Sequence, residues 1–226
     1  MRKVILGVSE KVTVGSPLSE MVMALERAIR QTSPTVEIVV REIGPLSDPD
    51  PWTLDSDLLF CPLTLAVPGY WSFPHDVLYQ TCQNLEQLRQ QVEQQLGYPG
   101  GVGNYWLPVI LTAKGPLYGE LIGESQGKYI HPIHVADTWR QPLYELGYRL
   151  LKTLQAVPAT YLIQFAFQDE TLCFDRLWPF PGVPGLATLN TQTPDLFTCH
   201  WYCLTHRPLY DLKIASSVPY QIYPKN

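Results

Sequence analysis

The first positions with a clear apolar pattern are Val4-Ile-Leu-Gly-Val8, a short unbroken run that predicts a buried strand. Ser16-Pro17 then supplies a helix cap and a first-turn proline, and apolar residues recur at helical spacing from Leu18 to Arg30. Thr35 to Ile43 is rich in β-branched residues and predicts a second strand, so the opening reads as a βαβ unit with parallel strands. Gly44 to Asp57, with Asp48-Pro49-Asp50-Pro51, is a loop leading to a third strand over Leu58 to Leu65. Phe73-Pro-His-Asp76 starts a helix whose stripe of Leu78, Leu85, Leu88, Val92 and Leu96 lies opposite a glutamine-rich face, and Gly97 ends it.

After the cluster Gly97-Tyr-Pro-Gly-Gly-Val-Gly103 the period changes to that of strands. Leu107 to Ala113, Leu117 to Gly123 and Tyr129 to Val135 form an antiparallel meander with turns at Lys114-Gly-Pro116 and Ser125-Gln-Gly-Lys128. Trp139 to Leu154 is a helix, Tyr161 to Phe167 and Thr171 to Leu177 are a hairpin around Gln168-Asp-Glu170, and Thr193-Pro194-Asp195 caps a last helix running to Thr205. The fold class is therefore α/β plus α+β. Residues 1–103 form a βαβ layer with a Gln-rich amphipathic helix, and residues 104–226 an antiparallel sheet with covering helices.

Composition narrows the function more than it suggests one. The 226 residues carry 16 Lys and Arg against 21 Asp and Glu, a net charge of −5 without a basic run, which argues against nucleic acid as a partner. The longest apolar stretch, Leu58 to Tyr70, is broken by Pro62 and Pro68 and is shorter than the ~20 residues of a membrane span. Five cysteines without a CxxC pair fit reduced thiols and a cytoplasmic protein. Six Trp, 13 Tyr and seven Phe need extensive packing; the aromatic-proline segments 68–74 and 178–182 are expected either in that packing or as anchors for a protein partner.

Several constellations merit weighing as chemistry. Gly97 to Gly103 follows a helix and lacks a Gly-Lys-Ser/Thr ending, so it reads as a structural turn rather than a phosphate cradle. His131 and His134 are three apart on a strand and point to opposite faces, which separates them as metal ligands. Cys199, Cys203 and His206 share one helical stripe, with His200 beside it, but no second element brings a ligand, and the stripe reads as core. Glu120, Glu124, Asp137 and Asp175 lie in or beside strands, where a carboxylate either holds Mg²⁺ with substrate phosphates or pairs with an arginine such as Arg140 or Arg176.

From Gly115 onward, the order of elements resembles the C-terminal lobe of the ATP-grasp carboxylate ligases, carboxyaminoimidazole ribonucleotide synthase among them. The matching pieces are Leu117-Tyr-Gly-Glu-Leu-Ile-Gly123, Tyr129-Ile-His-Pro-Ile133, Ile163-Gln-Phe-Ala-Phe167, Asp175-Arg-Leu-Trp-Pro-Phe-Pro181 and Pro208-Leu-Tyr-Asp211. Active members place a Glu on one strand and a Glu-Asn pair on the next to bind Mg²⁺ at the ATP phosphates. At the matched positions this chain has Gln164, Arg176 and Asp175, and only Asp175 is able to coordinate. The resemblance thus implies a shortened, degenerate relative with no metal and no cofactor. It implies a non-catalytic binding, assembly or regulatory role, with a small ATP-dependent carboxylate ligase or other phosphate-ligand enzyme as the alternative. The residues for a ligand cleft would be Lys114, Glu120, Asp175 and Arg176.

Overall fold

A computed structural model describes residues 3–44, 57–215 and 221–224; the Asp-Pro loop expected between Gly44 and Asp57 falls largely outside them, at residues 45–56. The opening βαβ unit is present. Strand β1 (Lys3–Val8) is followed by helix α1 (Pro17–Thr32), and β2 (Glu37–Glu42) and β3 (Leu58–Pro62) both pair parallel to β1, one on each side. Ser16 caps α1 by accepting the Ser19 N–H on its hydroxyl, with Pro17 in the first turn, where a missing N–H costs nothing.

The expected single helix from residue 73 to Gly97 is two helices, α2 (Asp76–Gln83) and α3 (Leu85–Leu96). Asn84 interrupts them, because its side-chain oxygen accepts the Gln87 N–H and so starts a new helix instead of continuing the old one. Their buried stripe is Leu78, Cys82, Leu88, Val92 and Leu96, with Leu85 only half-buried, and it packs into the core of the second sheet rather than the first. Gly97 ends α3 in the left-handed conformation, φ 82°, a region that glycine enters without steric cost.

The second sheet holds β4 (Tyr105–Thr112), β5 (Gly115–Tyr118), β6 (Leu121–Ser125), β7 (Lys128–Ile133), β8 (Ala159–Gln168), β9 (Thr171–Trp178) and β12 (Gln221–Pro224), all antiparallel. A two-stranded ribbon joins β10 (Gln192–Thr193) to β11 (Lys213–Ile214). One face of the large sheet is covered by α3 and by α4 (Asp137–Thr153).

Helix α5 (Leu196–Leu204) lies between the two sheets. Its Phe197 and Trp201 join the core of β1 and α1, while Leu196, Cys199 and Cys203 join that of β4, β6 and β8. Asp195 fixes its start by accepting the Phe197 and Thr198 N–H groups. The Trp201 indole then donates to Thr32 at the end of α1, 2.8 Å away, so the helix ties the two layers together. Among the described residues no helix is long and apolar enough to cross a membrane.

Candidate functional site

Where the layers meet, a cleft of about 530 Å³ opens beyond the carboxyl ends of β1 and β3. Its position follows from the topology. The chain leaves β1 for β2 on one side and later fills β3 on the other, and such a reversal of strand order leaves a crevice outside the strand ends. Ser9 and Glu10 after β1, Thr64 after β3, and the Ser16 to Leu18 start of α1 form one wall. Trp106, Tyr129, Gln164, Arg176 and Trp178 form the other.

Arg176 reaches the cleft because β9 carries a β-bulge. Gln164 pairs with Arg176, but the next pair is Phe165 with Phe174, so Asp175 is the extra residue. On an unbroken strand Phe174 and Arg176 would share a face. With the bulge, Leu172, Phe174 and Leu177 enter the core under α3 and α4, whereas Arg176 and Trp178 turn to the cleft. Leu162 and Gln164 on β8 share that cleft-side face.

Asp175 is 1% exposed and its carboxylate is saturated. One oxygen accepts from Arg89 Nη2 at 2.6 Å and Arg176 Nε at 3.3 Å, and the other from the Gly103 N–H at 2.8 Å. The glycine stretch supplies this last donor because it lies along β9: the Gly101 N–H donates to the Phe174 carbonyl, and the Phe174 N–H to that of Pro99. Gly103 must lack a side chain there, since a Cβ would lie 2.3 Å from the Phe165 carbonyl oxygen. The segment 97–103 is thus an edge of the sheet and a clasp for Asp175.

Gln164 is equally fixed. Its amide nitrogen donates to the Gly103 carbonyl at 2.7 Å, and its oxygen accepts the Trp178 indole N–H at 3.1 Å. Arg176 differs. Its guanidinium stands 5.5 Å from the centre of the Trp178 ring, Nε reaches Asp175, and its two terminal nitrogens meet no acceptor among the described residues. Trp106, 3% exposed and edge-on to Tyr129 at 5.2 Å, has an indole N–H that likewise meets no acceptor among the described residues. Of the residues lining the cleft, Glu10 alone carries a carboxyl group.

The four residues expected together are dispersed. Asp175 and Arg176 are consecutive, and Arg176 lines the cleft. Glu120, between β5 and β6, faces His134 at 3.1 Å, and Lys114 in the β4–β5 turn lies over Tyr210. Lys114 lies beyond the far end of β4, away from Trp106, which pairs with Gln164, while Glu120 lies beside the middle of β4 but is not among the residues lining the cleft. Glu124 accepts from the Gly127 N–H in its own turn, and Asp137 pairs with Arg140 in the first turn of α4. The aromatic-proline segments are mostly internal: Trp71 and Phe180 are buried in the first core, and Tyr70 is exposed.

His131 and His134 separate as their spacing predicts, whereas the expected stripe of Cys199, Cys203 and His206 is kept only by the two cysteines, because α5 ends at Leu204. His131 is buried against Thr191, whose hydroxyl donates to the Ala187 carbonyl, so the imidazole Nδ1–H must donate to Thr191. Burial, helped by His134, pulls the His131 pKa down to about 4. His200 accepts the Thr160 N–H and is pulled down to about 3 by burial, with His75 adding to it. Cys199 and Cys203 pack inside, whereas His206 leaves the helix in a left-handed turn, φ 53°. Among the described residues no group of three or more His, Cys, Asp or Glu is arranged to hold a metal ion.

A divalent cation does not fit the Gln164–Arg176 pair. A guanidinium repels it, the amide oxygen is already engaged, and the adjacent carboxylate is turned into a buried ion pair.

No family model and no curated protein matches the chain. Its fold is nonetheless that of solved structures. Glycinamide-RNase-transformylase T from Mycobacterium tuberculosis superposes with TM-score 0.65 at 13% identity, covering 92% of this chain and 80% of that one. N5-carboxyaminoimidazole ribonucleotide synthetase from Thermotoga maritima gives 0.68 at 10% identity, over 95% and 78%. Carboxyaminoimidazole ribonucleotide synthase from Aspergillus clavatus, complexed with ATP, gives 0.67 at 12% identity, over 92% and 78%. The likeness expected for the second half therefore extends over nearly the whole chain, which has the fold of the ATP-grasp carboxylate ligases.

Proposed function

We propose that the protein is a non-catalytic binding module on an ATP-grasp frame, and that its cleft holds a small anionic molecule directly, without a divalent cation. The observation that carries this reading is the facing pair Gln164 and Arg176 on β8 and β9. These positions match carboxylate metal ligands in the family resemblance, and here they present an immobilised amide and a guanidinium whose two terminal nitrogens meet no acceptor among the described residues. Arginine suits phosphate or carboxylate because its planar fork donates two parallel hydrogen bonds. The Trp106 indole N–H, which meets no acceptor among the described residues, adds a donor on the same cleft, and the start of α1 adds the positive end of its dipole. The ring of Trp178 beneath Arg176 restricts where the guanidinium can go.

The test is thermal stabilisation by inorganic phosphate in EDTA. The wild type should be stabilised and Arg176→Ala should lose the response while remaining folded. The alternative reading, a small ATP-dependent carboxylate ligase, is favoured by the likeness to a structure complexed with ATP. It requires stabilisation by ATP that depends on Mg²⁺, and Mg²⁺-dependent ATP turnover by the wild type.

A further inference from the structure

A second pocket, of about 170 Å³, lies between the β4–β5 turn and the chain that leaves α5. Trp106 in the cleft and Thr112 in this pocket are six residues apart on β4, about 20 Å at the rise of a strand, so the two sites are separate. Lys114, His206 and Arg207 line it without a carboxylate, in a chain whose net charge is −5. Arg207 has a structural task, since its Nη2 donates to the Thr32 carbonyl at the end of α1. Lys114 and His206 have no such engagement. The His206 imidazole meets no hydrogen-bond partner among the described residues, and the Lys114 ammonium stands 5.1 Å from the centre of the Tyr210 ring, a side chain left 73% exposed.

Pro158, Pro208 and Leu209 give the pocket its apolar floor, and the Thr112 hydroxyl in its wall is already engaged with the Gly115 carbonyl. Cys203 adds no nucleophile, because burial pushes its thiol up to about 12. We propose that this pocket is a binding site for a small aromatic carboxylate, with the carboxylate on Lys114 and His206 and the ring between Tyr210 and the proline-leucine floor. The volume equals that of about six liquid waters, suited to one ring bearing one acid group. Lys114 has two attractions there, the ring face of Tyr210 and the ligand's charge.

Calorimetric titration with benzoate, benzamide and inorganic phosphate tests this. Benzoate should bind saturably and benzamide at least about tenfold more weakly, the loss of one charge-assisted contact. Lys114→Gln, a surface change in a turn, should weaken benzoate by a similar factor, and Tyr210→Ala should weaken benzoate but not phosphate. Arg176→Ala should abolish phosphate binding at the cleft and leave benzoate binding to this pocket unchanged, which separates the two sites. The proposal is overturned by benzamide binding as well as benzoate, by an unaffected Lys114→Gln, by benzoate binding lost in Arg176→Ala, or by no saturable binding at all.

Discussion

The two sides of the β8–β9 ladder carry the same kinds of residue to opposite ends. On the side under α3 and α4, Phe165, Phe174 and Leu177 are fully buried, and the Asp175 carboxylate at the ladder's rim is enclosed by Arg89, Gly103 and Arg176. On the side toward the cleft, Arg176 keeps a third of its side chain exposed and two nitrogens that meet no acceptor among the described residues. Adjacent, oppositely charged residues thus part company, one becoming structure and the other remaining available. The single inserted residue of the bulge makes the difference, turning the Asp175 carboxylate into a clasp and leaving Arg176 at the cleft.

That contrast is broken most strongly by Asp175→Ala. Removing the carboxylate leaves the Arg89 guanidinium and the Gly103 N–H without their partner in a buried place, and the loss should be about 3–5 kcal/mol by urea unfolding. The same truncation at Arg176 should cost less than about 1 kcal/mol, because a partly exposed ion pair is screened by water. Equal losses at the two positions would show that the faces do not differ as described.

Acid should act next. Each buried imidazole has a folded pKa below the unfolded value of 6.5: about 4 for His131 and about 3 for His200. Above pH ~6.5 both states are neutral there and their stability contribution is complete. As the pH falls, the unfolded chain takes the proton first, so stability declines from that point down to the folded pKa, by on the order of 3 kcal/mol for His131 alone. Unfolding followed between neutral and mildly acid pH should show this slope. His131→Asn, whose amide still reaches toward Thr191, should flatten it. A slope of opposite sign would mean that the imidazoles are charged in the fold.

A smaller effect is expected at the clasp. Gly103→Ala forces a methyl group against the Phe165 carbonyl and should cost about 2 kcal/mol. Because Gly103 also holds Gln164 and Asp175, hydrogen exchange should rise along β8 and β9 rather than along β1. Exchange rising evenly through both sheets would remove the special role of this contact.

Much of the architecture was legible from residue periodicity. The β1–α1–β2 unit, the meander, the β8–β9 hairpin and the capped α5 follow from local patterns of two and 3.6 residues and from Ser16, Pro17 and Asp195, whose capping acts within a few positions. What did not show was anything that depends on a partner distant in sequence. The bulge at Asp175 adds one residue to an alternation and leaves no sign until Phe165 and Phe174 are seen as a pair. Asn84 reads equally as a helix surface position or a cap. Arg89, which looks like one more polar residue on the Gln-rich face, is the main partner of Asp175, 86 residues away. The matched positions Gln164 and Arg176 were found through resemblance, but Trp106 and Trp178, which complete the cleft wall, give no local signal beyond being aromatic on a strand.

Calorimetric titration of inorganic phosphate into the wild type and Arg176→Ala, each in EDTA and again with excess Mg²⁺, decides whether the cleft takes an anion on Arg176 without metal. Binding to the wild type should be saturable, the same with and without Mg²⁺, and absent from a folded Arg176→Ala. Binding that appears only with Mg²⁺, or that survives the loss of Arg176, would contradict metal-free capture by Arg176.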